Sequence, residues 1–190
     1  MNKVYIKRFL IYALLLFSIV YSQKLYSQKI SWQPATAYYK DGTVLKGKLK
    51  SKNNNFWYFL LLKTADNPKI YLYPEEVDEV ICNSYRFISF KYIQDDFNHS
   101  TYSFAHVLAG DYLVLVRTRY SKWVCNCSKG ERYFWGWFII SGSEYIELNF
   151  DREKLININD VHEFLINNQV DCSPEQVNNM EGIKQLLNRL

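Results

Sequence analysis

From about residue 35 to about residue 150 the chain never runs far without a turn signal, and the stretches between turns are too short for ordinary helices. Where polar residues enter those stretches, they often alternate with apolar ones. A period of two sends successive side chains to opposite faces, which is the pattern of a strand with one face covered. This rhythm limits the chain to an antiparallel β architecture. Ala35–Tyr39 is apolar and Asp41-Gly42 is a hairpin turn. Thr43–Lys50 then alternates, with Leu45 and Leu49 on one side and Lys46, Lys48 and Lys50 on the other, a row that Lys52 extends. Phe56–Thr64 is apolar on both faces and reads as a covered strand. Ile70–Tyr73 is a strand stopped by Pro74, Glu75–Ile81 is ambiguous between a turn and a strand, and Tyr85–Ile93 is strand-like. Gln94–Thr101 reads as a polar loop, and the pattern of Tyr102–Ala109 favours no element. Asp111–Tyr120 and Tyr133–Ser141 are strands, the second with Gly136 as a place for a bulge or a close approach, and Ser141-Gly142-Ser143 turns into Glu144–Phe150.

These segments predict a mainly β (α+β) domain. Its sheet is an antiparallel sandwich or barrel-like sheet of about eight to nine short strands. The period changes in the tail, residues 158–190. Ile158, Val161, Phe164 and Leu165 recur at helical spacing, with Asp160 and Glu163 placed for a capping box. Ser173-Pro174-Glu175-Gln176 is a second helix start, followed by a stripe of Val177, Met180, Ile183, Leu187 and Leu190. Two helices are therefore expected to close the chain and pack on the sheet.

Residues 1–22 read as a secretory signal peptide: Lys3, Lys7 and Arg8, then the uncharged apolar run Phe9–Tyr21, then Val20-Tyr21-Ser22 for cleavage before Gln23. Cleavage after Ser27 is the second option. The run has 13 residues, short of the roughly 20 a spanning helix needs, so the membrane is expected to be met only during targeting. The mature chain, 23–190, is a single domain located in the periplasm, the cell envelope or outside the cell. The full chain has 23 basic and 19 acidic residues. Losing residues 1–22 removes three basic residues and leaves a net +1. Nucleic acid, which demands a basic excess, is therefore an unsuitable partner.

Four cysteines remain: Cys82, Cys125, Cys127 and Cys172. In an exported chain an even count suggests disulfides, with three connectivities open. Buried thiols and a metal are the alternatives, but one C-x-C with two isolated cysteines lacks the paired spacing of structural zinc. No metal and no cofactor is expected. His99, with Asp95, Asp96 and Asn98, reads as a solvated loop. His106 pairs with Cys125 as base and nucleophile only by residue type, and no nucleophile elbow, zinc helix or phosphate loop occurs. No catalytic residue is assigned.

Three features are suited to binding. The row Lys46, Lys48, Lys50 and Lys52 could hold an anionic glycan or a phosphate-bearing surface, or could simply guard an edge strand. Glu75, Glu76, Asp78 and Glu79 are a cluster of oxygen ligands without calcium-loop spacing. Aromatics make up 17% of the chain, enough for a stacking platform built from Trp57, Trp123, Trp135 and Trp137. On the strand Tyr133–Ser141, Tyr133, Trp135, Trp137 and Ile139 share one face; Phe134, Phe138 and Ile140 share the other. At least one of the two faces is core.

The run Lys40-Asp41-Gly42-Thr43 with Leu45, Gly47 and Leu49, then Tyr71-Leu72-Tyr73-Pro74-Glu75-Glu76-Val77, Tyr85-Arg86-Phe87 and Phe104–Gly110, resembles a loose group of exported β-rich domains of unknown function from Bacteroidota. The resemblance implies a hairpin, a Tyr-Pro-acid segment and a helical tail, and no catalytic residue. Cys125-Asn126-Cys127 departs from the group. The expected function is that of an exported non-enzymatic envelope or secreted protein that binds a protein or surface partner. A glycan-binding module using exposed Trp and Tyr is the first alternative, and a small hydrolase around His99, His106 and the Cys pair is the second.

Overall fold

The computed structural model describes residues 31–51, 58–83, 85–94, 99–124 and 130–190. The segment 1–22 expected to be a signal peptide, with its second cleavage option at Ser27, and Lys52, Trp57, residues 95–98, Cys125 and Cys127 lie outside them, and Trp123 is described by its backbone alone. Ten strands form one antiparallel sheet: β1 Ser31–Tyr39, β2 Val44–Ser51, β3 Leu60–Lys63, β4 Ile70–Leu72, β5 Val77–Cys82, β6 Tyr85–Gln94, β7 His99–Ala109, β8 Val114–Val124, β9 Gly130–Ser141 and β10 Glu144–Leu148. Their order is β10-β9-β8-β7-β6-β5-β1-β2-β3-β4, so the sheet is open, with β10 and β4 at its edges. A small hairpin follows, β11 Phe150–Asp151 and β12 Lys154–Leu155. The chain then enters helix α1 (Ile158–Asn167), a 3₁₀ turn (Pro174–Val177) and helix α2 (Met180–Leu187). The expected β class and the two closing helices are both present, with more strands than turn signals alone separated.

The strand order forces the first half of the sheet to bend. Three strands lie between β4 and β5 in the sheet. In a flat sheet four inter-strand steps are about 19 Å. Yet Glu76 N and Val77 N both donate to Tyr73 O, at 3.1 and 2.9 Å, and such a turn keeps its ends within about 7 Å. Strands β1–β5 therefore curl, without β4 and β5 pairing. Lys40 fastens the seam through its N–H to Glu76 O at 2.9 Å and its Nζ to Pro74 O at 3.0 Å. The interior of the curl is filled by Ala35, Ala37, Leu49, Leu60, Leu62, Leu72, Val77 and Val80, closed from β7 by Phe104. Gly47 sits where β2 comes closest to β3: a Cβ there would lie 2.4 Å from the Lys63 carbonyl oxygen.

At the other end of the sheet the same face is covered by the helices. Leu113, Leu115, Ile139 and Leu148 meet Val161, Leu165, Val177, Ile183 and Leu187. The opposite face holds a third core of Phe90, Tyr92, Val116, Tyr120 and Phe138. Its rings touch edge to face or tilted, with Phe90–Phe138 centroids 4.8 Å apart and Tyr120–Phe138 centroids 5.4 Å apart. Burial pushes the Tyr92 hydroxyl up to about 12. Tyr120 is also raised, by burial and by its hydrogen bond to Glu147. Gly136 makes room here: its absent Cβ would fall 2.7 Å from the rings of Tyr120 and Phe138. The β8–β9 register is continuous across Gly136, opposite Thr118, so the glycine serves close approach and not a bulge.

Three local expectations are corrected. The loop expected at Gln94–Thr101 does not hold at its ends, since Gln94 closes β6 and His99–Thr101 open β7, an 11-residue strand that also takes in Tyr102–Ala109. Its pattern is masked by buried small polar residues, Thr101 and Ser103, whose hydroxyls bond to Ser121 and Thr118. Helix α1 begins at Ile158, one turn before the proposed Asp160–Glu163 box, and Asp160 lies in its first turn. The helix start at Ser173 holds with its Gln176 partner, Ser173 N donating to Gln176 Oε1 at 2.7 Å, but it opens only the 3₁₀ turn Pro174–Val177; α2 is separate and is capped by Asn179, whose Oδ1 accepts from Gly182 N at 2.9 Å. Leu190 consequently falls off the stripe and is exposed. No helix among the described residues is long and apolar enough to cross a membrane.

Candidate binding surfaces

The curl buries the apolar side of β2, β3 and β4 and turns the other side outward. Register places Lys48 directly opposite Lys63, and Leu61 opposite Tyr71, so these residues share the outer face. Lys46 and Lys50 flank Lys48 at strand spacing, and Lys69 and Tyr73 flank Tyr71. None of these three strands contains an acidic residue. Among the described residues, Lys46, Lys48, Lys50, Lys63 and Lys69 form no ion pair. The Lys63 ammonium lies 4.5 Å over the Trp32 ring, and that of Lys69 lies 5.0 Å over Tyr71. Tyr71 on the edge strand and Tyr73 just after it stand nearly parallel, with an interplanar angle of 23° and centroids 6.4 Å apart. They are 39% and 44% exposed. Phe59 props them from β3's side, its ring edge-on to Tyr71 at 5.2 Å.

The edge-guard explanation of the lysine row requires β2 to lie at an edge of the sheet. That explanation is corrected: β2 is interior, paired on both sides, and the edge is β4. Sequence reasoning also missed the tyrosine pair. Its signal was present, since Tyr71-Leu72-Tyr73 alternates, but nothing local says that β4 ends the sheet.

Of the tryptophans proposed for stacking, Trp135 and Trp137 lie on the face shared with Tyr133 and Ile139, as the alternation predicted. They occupy the strip between the curl and the helices. Arg117 projects from β8 into this strip, its guanidinium 4.6 Å from the Trp135 ring centre and 5.7 Å from that of Trp137. Arg119 lies 5.3 Å over Tyr133. Trp137 is partly buried and meets Phe150 edge-on at 6.1 Å. Together they form one wall of an open cleft of about 820 Å³, lined also by Arg152, Lys154, Asn178 and Met180. These indole faces are engaged by the Arg117 guanidinium.

The histidines are not brought together. His99 and His106 lie seven residues apart on one strand, roughly 23 Å. His106 stands opposite Arg117 against the rings of Tyr85 and Phe87. Burial, and then the Arg117 charge, hold its imidazole below the usual value. His99 makes a contact the sequence did not foretell: its Nε2 is 2.9 Å from Ser121 Oγ, 3.3 Å from Thr101 Oγ1 and 3.5 Å from Glu131 Oε1. A hydrolytic base takes the serine proton on one ring nitrogen and rests the other on a carboxylate. Here hydroxyls and carboxylate meet the same nitrogen, and Ser121 is fully buried.

Cys82 and Cys172 are free thiols, one in the curl and one beside the helices. Burial raises both, with Asp171 adding to Cys172. Of the acidic cluster, Glu75, Glu76 and Asp78 are exposed and Glu79 pairs with Arg86. Among the described residues no three metal-ligating side chains converge.

No protein-family model matches the chain, and neither a curated protein nor a solved structure is significantly similar to it.

Proposed function

We propose that this chain is an exported, non-enzymatic binding protein that recognises a glycan through the outer face of its curl. The observation that carries the reading is the exposed, nearly parallel pair of Tyr71, on the open edge strand, and Tyr73, just beyond its end. Sugar rings present flat C–H faces, and exposed aromatic rings are suited to pack against them. β4 is pinned on one side by β3 and open on the other, so the platform is rigid yet accessible. Export rests on the leader at residues 1–22, and intact-mass measurement on protein recovered from its host is expected to find a chain beginning at Gln23 or Gln28. A chain that keeps Met1 or Asn2 would remove the export half of this reading.

The binding half is tested by affinity electrophoresis against a panel of soluble polysaccharides. Tyr71→Ala and Tyr73→Ala are each expected to weaken binding about tenfold, equivalent to about 1.4 kcal/mol. Their exposure predicts little change in melting temperature. If no polysaccharide in the panel is retained, or the double variant is retained like wild type, the glycan reading fails.

One observation favours a protein partner as the second reading. The strip of Arg117, Arg119, Tyr133 and Trp135 has the residue types that dominate protein–protein hot spots. Trp135→Ala separates the two, because it leaves the curl untouched and should spare glycan retention.

A further inference from the structure

Resting on that reading, we infer that the glycan is acidic: a linear polymer bearing carboxylate or phosphate groups, laid across β2, β3 and β4 with a sugar ring on the tyrosine pair. Three features of the outer face carry this. First, its charge is of one sign, with four lysines and no acid on the three strands. The positive face is not an overflow of general basicity, since the chain without its leader is nearly neutral. Second, the charge is uncompensated. Lys48 and Lys63 are direct cross-strand neighbours, a placement in which like charges repel and weaken the sheet. No described carboxylate relieves them. A bound anion would turn that repulsion into attraction. Third, the cations and the rings are interleaved. Lys46, Lys48 and Lys50 repeat about every 6.7 Å along β2, and the Lys69 ammonium lies 5.0 Å over the Tyr71 ring, so a charged group of a sugar bound at this edge meets a cation there.

The test uses the mature protein against four probes: polygalacturonate for carboxylate, a phosphorylated mannan for phosphate, dextran as neutral polymer, and phosphatidylglycerol vesicles for an anionic surface without sugar. Polygalacturonate, the mannan or both should bind at least tenfold more tightly than dextran, with affinity falling as salt is raised. The member of the pair that binds more tightly names the charged group. Lys48→Thr should lower affinity for the acidic polymer about tenfold. It should melt at or slightly above the wild-type temperature, because it removes the repulsion with Lys63. Dextran binding equal to that of the acidic polymers, with Lys48→Thr unaltered, overturns the inference while leaving the glycan reading intact. Vesicle binding that exceeds polymer binding and survives Tyr71→Ala overturns both.

Discussion

Removing residues 173–190 is expected to leave the protein largely unfolded at room temperature. The segment contributes Val177, Ile183, Leu186 and Leu187 to the core under the helices, each 0–8% exposed. Burying a large apolar side chain contributes roughly 1.5–3 kcal/mol, so the four together contribute roughly 6–12 kcal/mol, as much as an ordinary domain's whole margin of 5–15 kcal/mol. The loss also strips the cover from Leu115 and Ile139, which are fully buried in the intact protein. The segment cannot be stable alone, because α2 has only eight residues and isolated helices of that length are marginal. The check is a urea titration of the truncated chain with a dye that reports exposed apolar surface. A midpoint equal to that of the full chain would show that the tail is no part of the fold and would make it a partner-binding element.

Phe138→Ala is the single substitution with the largest expected cost, about 3–5 kcal/mol. The ring is fully buried and is bordered by Phe90, Tyr92, Tyr120 and Tyr145. Aromatic neighbours held by strand register cannot collapse into the cavity as loop side chains do. The melting temperature should fall by about 10 °C or more. Phe134→Ala, two pairs further along the same strand face, should cost less than about 1 kcal/mol, because that ring is 38% exposed. Equal losses for the two would show that the aromatic face is not packed as described.

Much of this contrast was legible in the residues. The alternation that puts Phe134 and Phe138 on one face, and Trp135 and Ile139 on the other, is a property of any strand. The same holds for Leu49 facing inward while Lys46, Lys48 and Lys50 face outward. The period change at Ile158 announced the helices for the equivalent reason. Less legible was anything that depends on a partner far away in the chain. Thr101 and Ser103 look like loop residues until Ser121 and Thr118 accept and donate to them across β7 and β8. The cap of α2 is Asn179 because Pro174–Val177 closes as a 3₁₀ turn, a choice made by the packing of Val177 and Ile183 into the same core. The tryptophans were the conspicuous candidates for stacking, yet Arg117, 18 residues before Trp135 in the chain, lies over the ring.

By itself the sequence determined the class of structure, the inward and outward sides of the strands and the two helices. Each depends on periodicities and turn chemistry acting over a few residues, where geometry leaves little choice. Only the tertiary structure decided which strand stands at the edge, which lysines face one another and which rings remain open. Strand order depends on long-range pairing, and pairing is settled by how the whole sheet curls to bury Leu62, Leu72 and Val80. The tight turn at Pro74 brings β5 back beside β1 and leaves β4 unpaired on its outer side, and that exposes Tyr71 and Tyr73.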